Sequence, residues 1–133
     1  MIEGRGDFLA KSTVQALDYL SGSEEGFFLM VEGSQIDWGG HANNEEYLVG
    51  EVLDFDQTLG VVLDYAEKNG NTLVVVTADH ETGGTTLGAG KKKDDKGVER
   101  NDYNSISLSF STGGHSATLI PVFAHGVNSA QFT

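Results

Sequence analysis

The residues of this chain that could do chemistry fall in three short segments. FFLMVEGSQIDWGGH (27–41) carries Glu32, Asp37 and His41; TLVVVTADHETGG (72–84) carries Asp79 and His80; STGGHSA (111–117) carries His115. Asp37 and His41 are four residues apart. That spacing puts both on one face of a helical turn, and in a glycine-rich loop they can also converge. With His115 they make an Asp-His-His set, the three protein ligands of a tetrahedral zinc whose fourth position is left for water or substrate. Asp79 and His80 are adjacent and would diverge in a regular strand. At a strand end, where the chain turns, both can reach a second, half-built zinc site. Glu32, an oxygen-only ligand set at the end of an apolar run, suits a harder ion such as magnesium. Two zinc ions side by side can clamp the attacking and leaving oxygens of an in-line phosphoryl displacement.

Taken singly, each of these residues has an ordinary structural role. A lone buried histidine is usually a hydrogen-bonding group, and an acid after a strand is usually a cap or turn residue. Their convergence at strand ends and tight turns outweighs that reading. The remaining histidine, His125, is assigned to structure. Ser34, Thr77, Thr82 and Trp38 are candidates to line the site. Trp38 stands out because aromatic bulk beside a metal ligand can shape a substrate pocket.

The elements that would position these groups read as an α/β chain. Phe8–Leu20 has the apolar spacing of an amphipathic helix, with Asp7 as its N-cap and Ser21-Gly22-Ser23 as its end. Phe27–Val31 reads as a buried strand, followed by a glycine- and serine-containing loop to His41. Asn43 or Asn44 caps a long helix with Leu48, Val52, Phe55, Leu59, Val62, Leu63 and Ala66 on its apolar face and Asn69-Gly70 as its stop. A second buried strand is expected over Thr72–Thr77, which makes a βαβ unit with parallel pairing. The charged stretch from Lys91 to Arg100 reads as an exposed loop, Ser105–Ser111 as a half-exposed strand, and Thr118–Ala124 as a last short strand with Pro121 at an edge or bulge.

Composition narrows the function classes. The chain has 133 residues and a net charge of −12, with lysine clustered only at 91–93, which argues against nucleic acid as a partner. There is no cysteine, so no disulfide framework and no thiolate zinc site, and no apolar run has the length of a membrane span. Residues 1–7 read as linker, Ile2-Glu3-Gly4-Arg5 matching a protease-cleavage sequence, and 8–133 as one domain. The tripeptide Arg5-Gly6-Asp7 is taken as a chance match to an adhesion motif.

FFLMVEGSQIDWGGH, TLVVVTADHETGG and STGGHSA resemble the metal-binding segments of alkaline phosphatases in order, interval and neighbouring residues. The resemblance implies a three-layer α/β/α sandwich with a mostly parallel sheet, and hydrolysis of phosphate monoesters through a phosphoserine. It implies that Asp37, His41 and His115 match the first zinc site, Asp79 and His80 the second, and Glu32 the magnesium site. The family's nucleophilic serine, a bridging aspartate, a further magnesium ligand and a phosphate-binding arginine lie in an upstream segment with no counterpart here. The chain is therefore expected to be the carboxy-terminal part of such an enzyme, cut at both ends and inactive alone; the alternative is a non-catalytic zinc-binding domain. Trp38 stands where some members carry a basic residue near the phosphate. Missing sheet neighbours would favour homo-oligomers, and full-length relatives are mostly exported or surface-bound.

Overall fold

A computed structural model describes residues 4–132. In chain order it contains α1 (Phe8–Leu20), α2 (Gln35–His41), α3 (Glu45–Asn69), β1 (Leu73–Val76), β2 (Glu81–Thr82), β3 (Thr86–Lys93), β4 (Glu99–Ser109), β5 (His115–Ser116), β6 (Phe123–Gly126) and a final 3-10 turn, Ser129–Phe132. The long α3 is the spine: α1 and α2 pack against it, and β1 and β6 lie on it. Ala10 and Leu17 of α1, Leu48 and Ala66 of α3 and Val74 of β1 form the buried apolar core.

Both ends of α3 are built as the sequence predicts. The Asn44 side chain accepts a hydrogen bond from the Tyr47 amide at 2.9 Å, and Glu45 and Glu46 occupy the first turn. Gly70 closes the helix in the left-handed conformation, φ 69°. The apolar face is rotated from the expected one. Val52 and Leu53 are exposed, and the buried positions include Glu51, Asp54 and Thr58. The reason is an internal ion cluster. Arg5, grouped by the sequence with the leading residues, donates from Nη2 to Glu51 and to Asp54, the latter at 2.8 Å, while Thr58 Oγ1 donates to the Asp54 carbonyl at 2.9 Å. Residues 1–3 of the expected linker lie outside the described residues. Asp7 precedes α1 without a side-chain capping bond and instead pairs with Lys11 at 3.0 Å.

The sheets differ from the expected parallel arrangement. Among the described residues there are three two-stranded antiparallel sheets, β1 with β6, β2 with β5, and β3 with β4. Phe27–Val31 forms no strand among the described residues, because a strand needs a hydrogen-bonding neighbour and none lies beside it there. The segment expected to be a loop at Lys91–Arg100 is the far end of a hairpin, where β3 and β4 meet around a turn held by Asp94. The last strand begins at Phe123, beyond Pro121, whose missing N–H cannot serve a ladder.

Asp94 accepts from the amides of Val98 at 2.9 Å and Lys96 at 3.0 Å and from Arg100 Nε at 3.2 Å. These donors, the Val98 amide foremost, hold its carboxyl below the usual carboxylate range. Their contribution is complete above the ordinary carboxylate pKa and is lost as pH falls through the lower folded value. Protection of the Val98 amide, measured against its intrinsic exchange rate at each pH, is therefore expected to fall below about pH 4, ahead of that in the middle of the hairpin. A second expectation concerns the ion cluster. Arg5→Ala takes the guanidinium from the buried Asp54 carboxylate, and denaturant unfolding should show a loss of about 3 kcal/mol.

Candidate metal centre

The segment read as a loop holds a short helix. α2 places Asp37 and His41 one turn apart, and Asp37 Oδ1 is 3.5 Å from His41 Nε2. β5 delivers His115, whose Nε2 lies 3.8 Å from Asp37 Oδ1 and 3.3 Å from His41 Nε2. Donor atoms around a tetrahedral zinc at about 2.0 Å stand roughly 3.3 Å from one another. The three atoms are thus spaced as one such ion would take them. His41 Nδ1 is 2.8 Å from the Gly113 carbonyl oxygen. A carbonyl only accepts, so Nδ1 carries the proton and the Nε2 lone pair faces the cluster.

His80 enters from the turn before β2. Its ring stacks on His115 with centroids 3.5 Å apart and an interplanar angle of 19°. The candidate ligand atoms of Asp37, His80 and His115 all lie within 4.8 Å of one another, so the two sets separated in the sequence reading form one continuous patch. Asp79 is exposed, with Oδ2 3.5 Å from His80 Nε2. Thr82 Oγ1 donates to Asp37 Oδ1 at 2.5 Å and lies 3.2 Å from His80 Nδ1. Glu32 is not in the patch; it is exposed, directly after Phe27–Val31. Trp38 sits beside Asp37 on α2 and is 63% exposed. Ser34 precedes α2 and is exposed, Thr77 donates to the Pro121 carbonyl at 3.3 Å, and His125 sits on β6 opposite Val74.

The sequence reading passes over Glu81 and weighs Asn43 only as a helix cap. Glu81 points away from the cluster, accepting from the amides of Thr85 at 2.7 Å and Gly84 at 3.1 Å and from the Ser116 hydroxyl. The Ser116 bond, aided by the amides and opposed by burial, holds its carboxyl below the usual carboxylate range. Glu81 thereby knots β2 to β5 beside His80 and His115. Asn43 has φ +49°, and with its amide oriented for the purpose it donates to the carbonyls of Gly40 at 2.9 Å and Thr112 at 2.8 Å. An acid flanked by His80 and a Gly-Gly turn, and an asparagine just past a helix end, were the available signals.

Glycine is required where α2 is squeezed between its neighbours. A Cβ at Gly39 would stand 2.8 Å from Leu48 Cα, and one at Gly40 would stand 2.9 Å from the Thr82 carbonyl oxygen. Close approach at these two positions is what brings His41 to the turn bearing His115.

A family model described as alkaline phosphatase matches residues 6–104. Alkaline phosphatase 4 of Bacillus subtilis is 49% identical over 85 residues, covering 64% of this chain and 18% of that protein. The alkaline phosphatase of Escherichia fergusonii is 35% identical over 130 residues, covering 92% of this chain and 28% of that one. Among solved structures, a mutant of the TAB5 alkaline phosphatase with magnesium bound in its M3 site matches with a TM-score of 0.90 and 58% identity, over 98% of this chain and 38% of that chain. The chain thus spans well under half the length of these relatives.

Gly39→Ala should force α2 away from α3 and lower stability by about 2 kcal/mol, read by thermal or denaturant unfolding.

Proposed function

Since this chain belongs to the alkaline phosphatase family, we propose that it is the metal-ligand part of a phosphate monoester hydrolase. The observation that carries the reading is the meeting of Asp37 Oδ1, His41 Nε2 and His115 Nε2 at mutual distances of 3.3 to 3.8 Å, with the His41 proton placed on Nδ1 by Gly113. These three residues would hold one zinc ion. Asp79 and His80 would supply half of a second zinc site, and Glu32 one ligand of a magnesium site. Zinc bound there supplies a Lewis acid that polarises a phosphoryl oxygen and lowers the pKa of a bound water.

The chain's own residues orient and enclose. Asp37, His80, His41 and His115 are all partly exposed on the same side, which leaves an approach for a phosphate ester. Trp38, exposed on α2, would form one wall of the substrate site. The serine nucleophile is proposed to come from a segment outside these 133 residues. In support, the hydrogen bonds of Asp37, His41 and His80 run to Thr82, Gly113 and one another among the described residues, and Ser116 spends its hydroxyl on Glu81. In the same proposal, the edge of β1 left unpaired among the described residues and the apolar Phe27–Val31 become part of a larger, mostly parallel sheet within a three-layer sandwich.

Calorimetry with zinc alone tests the centre. The chain should bind zinc, and His115→Ala should weaken that binding on the order of 100-fold. A folded chain that takes up no zinc overturns the reading. Turnover of nitrophenyl phosphate should stay at the level of zinc in buffer, and rapid hydrolysis by the chain alone would place the nucleophile within it.

A further inference from the structure

We infer that Thr82 is a positioning residue that joins the two ligand sets, fixing the Asp37 carboxylate and the ring tautomer of His80 through one hydroxyl. A threonine hydroxyl has one proton and two lone pairs. A carboxylate only accepts, so at 2.5 Å the proton points to Asp37 Oδ1. Toward His80 Nδ1, at 3.2 Å, Thr82 then has only a lone pair to offer. The His80 Nδ1 must therefore carry its own proton and donate it to Thr82. Asp79 Oδ2, 3.5 Å from His80 Nε2, lies beyond the usual hydrogen-bond length, so Nε2 keeps its lone pair, the state a metal ligand requires. The Gly113 carbonyl imposes the same tautomer on His41. Two histidines on different elements are thus set alike by two different acceptors.

The side chain is held so that this is its resting geometry. A Cβ built at Gly40 would stand 3.0 Å from both Cβ and Cγ2 of Thr82, so the Thr82 methyl is wedged against α2. A β-branched side chain with its methyl so confined has one χ1 setting, and that setting turns the hydroxyl to Asp37. The Thr82 backbone is pinned as well, paired with His115 across β2 and β5 and accepting from Thr85 Oγ1 at 3.1 Å. Threonine supplies both the wedge and the relay. Valine keeps the wedge and loses the relay, and serine keeps the relay and loses the wedge.

The hydrogen-bond half of this inference concerns the chain by itself, and the metal half rests on the centre proposed above. Nitrogen-15 NMR of the histidine rings in the metal-free chain, at a pH where the rings are neutral, reads the first half. Wild-type His80 should show the Nδ1–H tautomer, Thr82→Ser should keep it, and the near-isosteric Thr82→Val should shift it toward a mixture or to Nε2–H. Titration with cobalt(II), followed by its visible absorption, reads the second half. Thr82→Val should weaken binding roughly 10- to 100-fold with an unchanged amide spectrum, and Thr82→Ser should largely restore it.

An Nε2–H tautomer of His80 in the wild-type chain overturns the inference without any variant, including the case where Thr82→Val does not fold. So does Thr82→Val with wild-type tautomer and wild-type cobalt affinity. Failure of the wild-type chain to bind cobalt would instead sink the metal centre, while the tautomer still judges Thr82.

Discussion

The close approach of α2 to its neighbours is the constraint on which the site depends. Gly39 lies against the Leu48 backbone of α3, and Gly40 lies against Thr82 of β2. With side chains at either position the short helix would stand off, and Asp37 and His41 would leave the reach of His115. A seven-residue helix has little stability of its own, so it is packing against α3 that keeps it formed. The glycine pair is in that sense the foundation of the cluster, although neither glycine offers an atom to a metal.

A layer of acceptors and donors around the cluster then decides what each group presents. Gly113 sets His41, Thr82 orders Asp37 and His80, Glu81 ties the backbone around His80 to Ser116, and Asn43 ties the end of α2 to Thr112. Most of these partners are backbone groups or residues one or two positions from a ligand. The centre is compact in sequence terms for that reason, and short motifs such as DHETGG and STGGH carry both ligand and support.

That compactness also explains what could be read in the sequence. The candidate ligands stand out because acid and imidazole in Gly-rich turns are chemically conspicuous, and α1 and α3 stand out because their caps and periods are local. Phe27–Val31 reads as a strand from its apolar residues, but a strand is a relation to a neighbour, and no described residue provides one. Parallel βαβ pairing is not seen among the described residues for the same reason, since β1 finds its partner there in β6, nearly fifty residues on. The face of α3 was misjudged because Arg5, far off in sequence, makes Glu51 and Asp54 into inward-facing residues. The sequence shows the Ser105–Ser109 part of β4, where apolar residues alternate with serines, but not β3 or the far end of the hairpin, because a charged, exposed ribbon has no apolar alternation there.

The two Gly-Gly pairs of the site are mechanically unlike. A Cβ at Gly113 would find its nearest neighbour at 3.8 Å and one at Gly114 at 3.7 Å, ordinary contact distances, in contrast to the crowding at Gly39 and Gly40. The candidate centre therefore has one jaw, α2 with Asp37 and His41, held by close packing, and another, the turn that carries His115, held by hydrogen bonds from the Gly83 amide to Gly114 and from His41 to Gly113. In the proposed zinc centre, a cation of another radius would be met first by the hydrogen-bonded jaw, since moving the packed one drives backbone into backbone. Tolerance for ionic radius in that proposal is set by how far the turn before β5 can shift before the hydrogen bond from His41 to Gly113 breaks.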